Sequence, residues 1–173
     1  MKVIFLDFDG VINSFQSELV DPECVGVLSA IIEETNAKVV ATSASRYAFL
    51  EGKVDYLESA FYCDYAKTLQ SYGIVVDDIL PCINKDKEVE IQAYLKAHPD
   101  ISEYLVLDDD YFYSTLLGHE IYIDFERGLS VFDFQPAIDI LNDKLLYYNQ
   151  NEIETDVEKR MVLRKYFKQK KNL

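Results

Sequence analysis

The sequence predicts an α/β fold built on a mainly parallel central sheet. Three observations point there. Residues 3–6, 38–43 and 104–107 are short apolar runs that end in polar residues, which reads as strands buried on both faces. A stretch at helical spacing separates the first two runs, and strand–helix–strand makes a parallel unit. At 173 residues, nearly half of them apolar, the chain is long enough for one domain with a sizeable core.

Val3-Ile4-Phe5-Leu6 forms the first strand and runs into Asp7-Phe8-Asp9-Gly10-Val11. Strand side chains alternate, so Asp7 and Asp9 leave the strand end on the same side, and Gly10 lets the chain turn. Two carboxylates side by side repel unless a cation or a shared proton relieves them. Mg2+ is the obvious relief, because it takes oxygen ligands and keeps waters that a phosphate can displace. Residues 13–20 read as a connector. Asp21-Pro22-Glu23 starts a helix, with Asp as cap and Pro at the first position. Val25, Leu28, Ile31 and Ile32 form its apolar face, and Asn36 or its neighbour ends it.

The second strand ends in the hydroxyls Thr42 and Ser43, and Arg46 follows, a residue that could reach a phosphate. Residues 47–72 carry Val54, Leu57, Phe61, Tyr65 and Leu69 near helical spacing and predict one or two helices whose aromatics are core. Ile74-Val75-Val76 reads as a short strand. A helix is expected over 88–97, with Val89, Ile91, Tyr94 and Leu95 inward and Lys87 at its start. Tyr104-Leu105-Val106-Leu107 is a further buried strand, followed by Asp108-Asp109-Asp110. Sites in open parallel sheets gather at the carboxyl ends of strands, so Asp7, Thr42 and Asp109 should converge. Residues 119–124 read as the last strand. Pro136 is expected to start a helix carrying Ala137, Ile138, Ile140, Leu141, Leu145 and Leu146. A terminal helix is expected over 152–168, acidic first and basic last. The organisation expected is one catalytic domain over 1–150, with a charged C-terminal helix over 151–173 packed on it.

Composition removes several function classes. No apolar run approaches the ~20 residues of a membrane helix, and the chain opens on its first strand with no signal peptide read ahead of it. Cys24, Cys63 and Cys82 fit no metal spacing and read as reduced thiols of a cytoplasmic protein. His98 and His119 stand alone, which argues against zinc. Residues 1–158 hold 10 basic and 31 acidic residues, a formal −21, whereas the tail from Lys159 adds +7. The acidic body does not favour a nucleic-acid partner. The tail reads as a solvated face or one docked on that body.

Asp7-Phe8-Asp9-Gly10-Val11 after a buried strand resembles motif I of the haloacid dehalogenase (HAD) superfamily of phosphohydrolases. Thr42, with Ser43 as the alternative, resembles the motif II hydroxyl. Lys87, with Lys85 as its rival, resembles the motif III base, and Asp108-Asp109 the motif IV acidic pair. The resemblance implies that Asp7 is a nucleophile forming an aspartyl-phosphate. It implies that Asp9 is the general acid and then base, its backbone carbonyl helping to hold the metal. Thr42 or Ser43 would bond a phosphoryl oxygen, with Lys87 neutralising charge. The implied Mg2+ set is Asp7, Asp9, Asp108 and Asp109, with Asp109 the direct ligand and Asp108 its support.

The chain is most similar to small capless members described as the HAD domain of Swiss army knife RNA-repair proteins. The shared features are the short length, the Ser/Thr-rich strand end with Arg46, the Asp-Asp pair and Gly128-Leu129-Ser130. It departs at Ser45, where those members often carry Trp. The implied fold is a Rossmann-like three-layer sandwich with a minimal cap or none, because the gaps after motif I and between motifs II and III are too short for a separate domain. The implied activity is a Mg2+-dependent phosphatase acting on a phosphorylated small molecule or macromolecular end. The alternatives are a noncatalytic HAD-fold binding module and a nucleic-acid-end phosphatase in RNA repair.

Overall fold

Strand β1 (Lys2–Leu6) is buried along its length except at Lys2. A strand apolar on both faces needs cover on both sides. The computed structural model, which describes residues 1–14, 20–49, 60–110 and 115–146, sets β1 in the middle of a five-stranded sheet. Its neighbours are β2 (Lys38–Ala41), β3 (Val76–Ile79), β4 (Glu103–Asp108) and β5 (Glu120–Tyr122). All pairings are parallel and the order is β3-β2-β1-β4-β5. The chain builds outward from β1 through β2 to β3, then returns to lay β4 and β5 on the other side. The order therefore reverses between β1 and β4, and such a reversal opens a crevice at the carboxyl ends of those two strands.

Side-chain alternation divides the core. Ile4, Leu6, Val39, Ala41, Leu105 and Leu107 pack with residues of α1 (Pro22–Thr35), α2 (Ala60–Ser71) and α4 (Val131–Ile140). Val3, Phe5, Val40 and Val106 form the opposite face with Ile91 and Tyr94 of α3 (Lys87–Ala97). The result is the three-layer sandwich. Helix α1 is bounded as its sequence dictates. The Asp21 side chain accepts from the Glu23 N–H at 2.9 Å, Pro22 fills the first position, and Asn36 closes the helix in the left-handed region at φ 55°. No inserted domain interrupts the described residues between β1 and α3.

Three elements differ from expectation. The strand expected at Ile74 begins at Val76, because the Ile74 N–H still bonds the Leu69 carbonyl at 3.0 Å and completes the exit turn of α2. Helix α4 starts at Val131, not at Pro136. Ser130 and Asp133 make a reciprocal capping box that nucleates it five residues earlier, and Pro136 lies inside. The helix ends at Ile140, so Leu145 and Leu146 lie beyond it. In α3, Val89 faces solvent, and the buried stripe is Lys87, Glu90, Ile91 and Tyr94. That stripe has ordinary helical spacing, but two of its four members are charged.

Glu90 explains why. It is fully buried and ion-paired to the Arg46 guanidinium, which is 1% exposed. Arg46 also donates to the carbonyls of Thr42, Ser43 and Leu80. The second Glu90 oxygen accepts the backbone N–H groups of Ile83, Asn84 and Lys85 at 2.6, 3.1 and 3.2 Å. One buried pair thus joins the loop after β2 to the loop before α3. The structure commits Arg46 to this clamp, which differs from the phosphate contact expected of it. Val54, Leu57, most of the connector at 13–20, the helix over 152–168 and the basic tail fall outside the described residues.

Removing one partner of a buried ion pair leaves the other charge uncompensated. Arg46→Ala is expected to destabilise the fold by roughly 3–5 kcal/mol, read as a lower urea midpoint at unchanged m-value. A loss below about 1 kcal/mol would contradict the clamp.

Candidate active site

The ends of β1, β2 and β4 are laced together by the residues just past β1 and β2. The Asp7 N–H donates to the Leu107 carbonyl at 3.0 Å, and the Thr42 N–H donates to the Leu6 carbonyl at 2.8 Å. Asp7, Thr42 and the Asp108-Asp109 pair are therefore delivered to the same crevice by adjacent strands.

Lys87 is the centre of the arrangement. It is the first residue of α3, whose N-cap Asp86 accepts the Val89 N–H at 3.2 Å. Its Nζ donates to Asp7 Oδ2 at 2.6 Å and to Asp108 Oδ2 at 2.8 Å, with all three side chains buried. The Phe8 N–H holds Asp7 Oδ1 at 2.8 Å, and the Asp110 N–H holds Asp108 Oδ1 at 2.8 Å. Asp7, Asp108 and Asp109 offer carboxylate oxygens that all lie within 4.8 Å of one another. Asp109 lies directly over Gly10, where a Cβ would sit 2.4 Å from its Oδ2, and the φ of +80° there also demands glycine.

Electrostatics follow from burial. Desolvation pushes the Asp7 carboxyl above the usual carboxylate range; Lys87 opposes this and Asp108 adds to it. Burial also works against the charge on Lys87, but Asp108 and Asp7 outweigh it and hold the ammonium well above the ordinary lysine range. Among the described residues, three buried carboxylates face one ammonium. Their donors are all hard oxygens, a set that fits a Mg2+-type ion.

Beside this cluster, the Thr42 hydroxyl is fully buried with no hydrogen-bond partner. An unmet buried hydroxyl costs about 1–3 kcal/mol, so its retention calls for a use. Ser43, the alternative, is already engaged, its Oγ 3.1 Å from Ser45 Oγ. Lys85, the rival to Lys87, is exposed at φ 64°. Asp9 is exposed, and its carboxylate is not one of the three that cluster. Instead Asp9 Oδ1 accepts the Tyr65 O–H at 2.8 Å and the Asn13 amide at 3.4 Å. His98 and His119 stack on Tyr94 and Tyr104 as packing groups, at 4.0 Å between ring centroids.

Asn13, Tyr65 and Glu90 are site or support residues that sequence reasoning passed over. Tyr65 sits in an aromatic run and reads as core. Asn13 belongs to a connector. Glu90 carried a signal: it lies three residues after Lys87, on the same helical face.

No helix among the described residues is long and apolar enough to cross a membrane. No curated protein and no solved structure gives a match to the chain. A family described as "HAD domain in Swiss Army Knife RNA repair proteins" matches residues 3–134, a span that runs from β1 into α4 and contains every site residue above. With that match over most of its length, and with the parallel sheet and site just described, the chain belongs to this family of HAD domains.

Proposed function

We propose that this chain is a Mg2+-dependent phosphoric monoester hydrolase that works through an aspartyl-phosphate on Asp7. The observation that carries the reading is the Lys87 ammonium shared between Asp7 and Asp108, inside a buried group of three carboxylates. A merely structural site gains nothing from a third buried acid.

Asp7, Asp108 and Asp109, with the backbone carbonyl of Asp9, would hold the ion. When bound, Mg2+ supplies charge neutralisation to the carboxylates and the phosphoryl oxygens. Asp7 attacks phosphorus, and the bond from phosphorus to the leaving oxygen breaks. Lys87 keeps the attacking carboxylate in place and offsets phosphoryl charge. The Thr42 hydroxyl donates to a phosphoryl oxygen, the use that its unmet hydrogen bond calls for. Asp9 hands a proton to the leaving oxygen. It then takes one from the water that opens the aspartyl-phosphate, releasing inorganic phosphate and restoring Asp7.

The substrate is a phosphorylated small molecule or a macromolecular end. The described residues between β1 and α3 carry no cap domain, and a site without a cap would admit a bulky group. The family description supports a second reading, a phosphatase of nucleic-acid ends. The formal charge of −14 counts against long polyanions. A screen over sugar phosphates, nucleotides and 5′- or 3′-phosphorylated oligonucleotides separates the two. Turnover of none of them, nor of p-nitrophenyl phosphate, would favour a noncatalytic binding module.

Four outcomes are expected. Hydrolysis of p-nitrophenyl phosphate should require Mg2+ and vanish in EDTA, and full activity in EDTA would sink the mechanism. Asp7→Asn keeps the shape but removes the attacking charge, so turnover should fall by several orders of magnitude, out of the ~8–23 kcal/mol an enzyme supplies. A beryllium fluoride adduct should form on Asp7 and nowhere else. Thr42→Val should lower turnover about tenfold or more while leaving the melting temperature equal or higher, because it removes a buried unmet hydroxyl without changing shape. A clear drop in melting temperature would instead assign that hydroxyl to the fold.

A further inference from the structure

Asp9 is exposed, and an exposed aspartate ordinarily samples several rotamers. Here it is held from a different layer of the fold. Tyr65, on α2, is 1% exposed and stacks on Phe8 with ring centroids 4.9 Å apart and planes 23° from parallel. Phe8 lies between the two motif I aspartates in sequence, so the stack fixes the tyrosine relative to both. From that position the phenol donates to Asp9 Oδ1 at 2.8 Å. Asn13 closes the triangle. Its amide nitrogen lies 3.1 Å from the Tyr65 oxygen and 3.4 Å from Asp9 Oδ1, and its carbonyl oxygen accepts the Gly10 N–H at 2.6 Å. The Gly10 bond sets the amide orientation, so the nitrogen faces the tyrosine and the carboxylate. Burial and the adjacent Asp9 charge push the Tyr65 phenol far above its usual range, so it remains a donor.

We infer that Tyr65, supported by Asn13, is a positioning residue for proton transfer by Asp9. Both hydrogen bonds fall on Oδ1. That anchors one oxygen of the carboxyl and leaves the other to exchange a proton with the leaving group. It also holds the carboxylate apart from Asp7, Asp108 and Asp109, so that Asp9 serves as an acid and not as a fourth carboxylate ligand. The placement of Tyr65 on α2, beyond the hydroxyl strand, gives that helix a part in the chemistry as well as in the core. The inference rests on the reading of Asp9 as the general acid.

The test uses leaving-group dependence. A p-nitrophenolate departs without protonation, whereas an alkoxide needs the acid, whose contribution is on the order of 10²–10⁴-fold. The measured quantity is kcat/KM for a simple alkyl phosphate divided by kcat/KM for p-nitrophenyl phosphate, which reports the steps through leaving-group departure. Tyr65→Phe keeps the stack on Phe8 and removes only the hydroxyl. It should lower this ratio at least tenfold, with the loss in kcat and not in KM. Asn13→Leu removes the amide and should lower the ratio in the same direction, which keeps the test open if one variant folds poorly. Asp9→Asn is the reference and should lower the ratio most. If Asp9→Asn lowers it while both other variants leave it unchanged, the positioning role is wrong and the acid reading stands. If Asp9→Asn itself leaves the ratio unchanged, the acid reading fails and the inference falls with it.

Discussion

Three carboxylates, Asp7, Asp108 and Asp109, are forced together at the ends of neighbouring strands, and their repulsion is the constraint around which the molecule is arranged. Parallel pairing of β1 with β4, in register from Lys2↔Glu103 to Leu6↔Leu107, leaves them no room to separate. Burial sharpens the conflict, because charges in a poorly solvated crevice repel more strongly than in water. Lys87 answers part of it by bridging Asp7 and Asp108. The oxygens that the three carboxylates group there are the donors that the proposed hard cation would use.

A lysine buried this deeply must be delivered with little freedom, and the Arg46–Glu90 clamp supplies the constraint. Glu90 gathers three consecutive backbone N–H groups of the loop that leads to Lys87, while Arg46 gathers the carbonyls at the end of β2. The two loops are therefore tied through one ion pair. The clamp sets Thr42 and Lys87 in a common frame without touching the carboxylates. On the other side of the sheet, the Gly128-Leu129-Ser130 segment closes over motif I. The Leu129 N–H bonds the Val11 carbonyl at 2.8 Å, and a Cβ at Gly128 would collide with Cys24 Sγ at 2.6 Å. Glycine there permits the close approach, and Ser130 starts α4 in the next step.

The division of labour among acids follows from where each carboxylate finds a partner. Asp7 and Asp108 sit inside with the ammonium. Asp109 lies over Gly10. Asp9 stands outside the cluster and is held by a phenol and an amide. Four aspartates of identical chemistry thus have different surroundings, and the surroundings separate candidate ligands from a candidate proton donor.

The sequence alone determined the parallel α/β architecture, because strands buried on both faces and a capped intervening helix are written in local apolar runs and in Asp21-Pro22. It also singled out Asp7, Asp9, Thr42, Asp108 and Asp109, because acids and hydroxyls abutting buried strands are conspicuous in one dimension, and Lys87 through the resemblance of its place at a helix start to motif III. Other features were decided only in three dimensions. The choice of Thr42 over Ser43 as the unpartnered hydroxyl depends on which oxygen finds a neighbour, and the choice of Lys87 over Lys85 depends on which of them the start of α3 turns inward to the carboxylates while the loop before it leaves the other exposed. Arg46 looked like a phosphate ligand because its partner, Glu90, lies 44 residues away on a helix whose inward stripe is half charged. Tyr65 looked like core and is core on its ring, but its hydroxyl reaches an aspartate 56 residues earlier. Local periodicity reports which side chains leave water. It does not report which polar atoms meet across the chain, because that depends on how the layers pack.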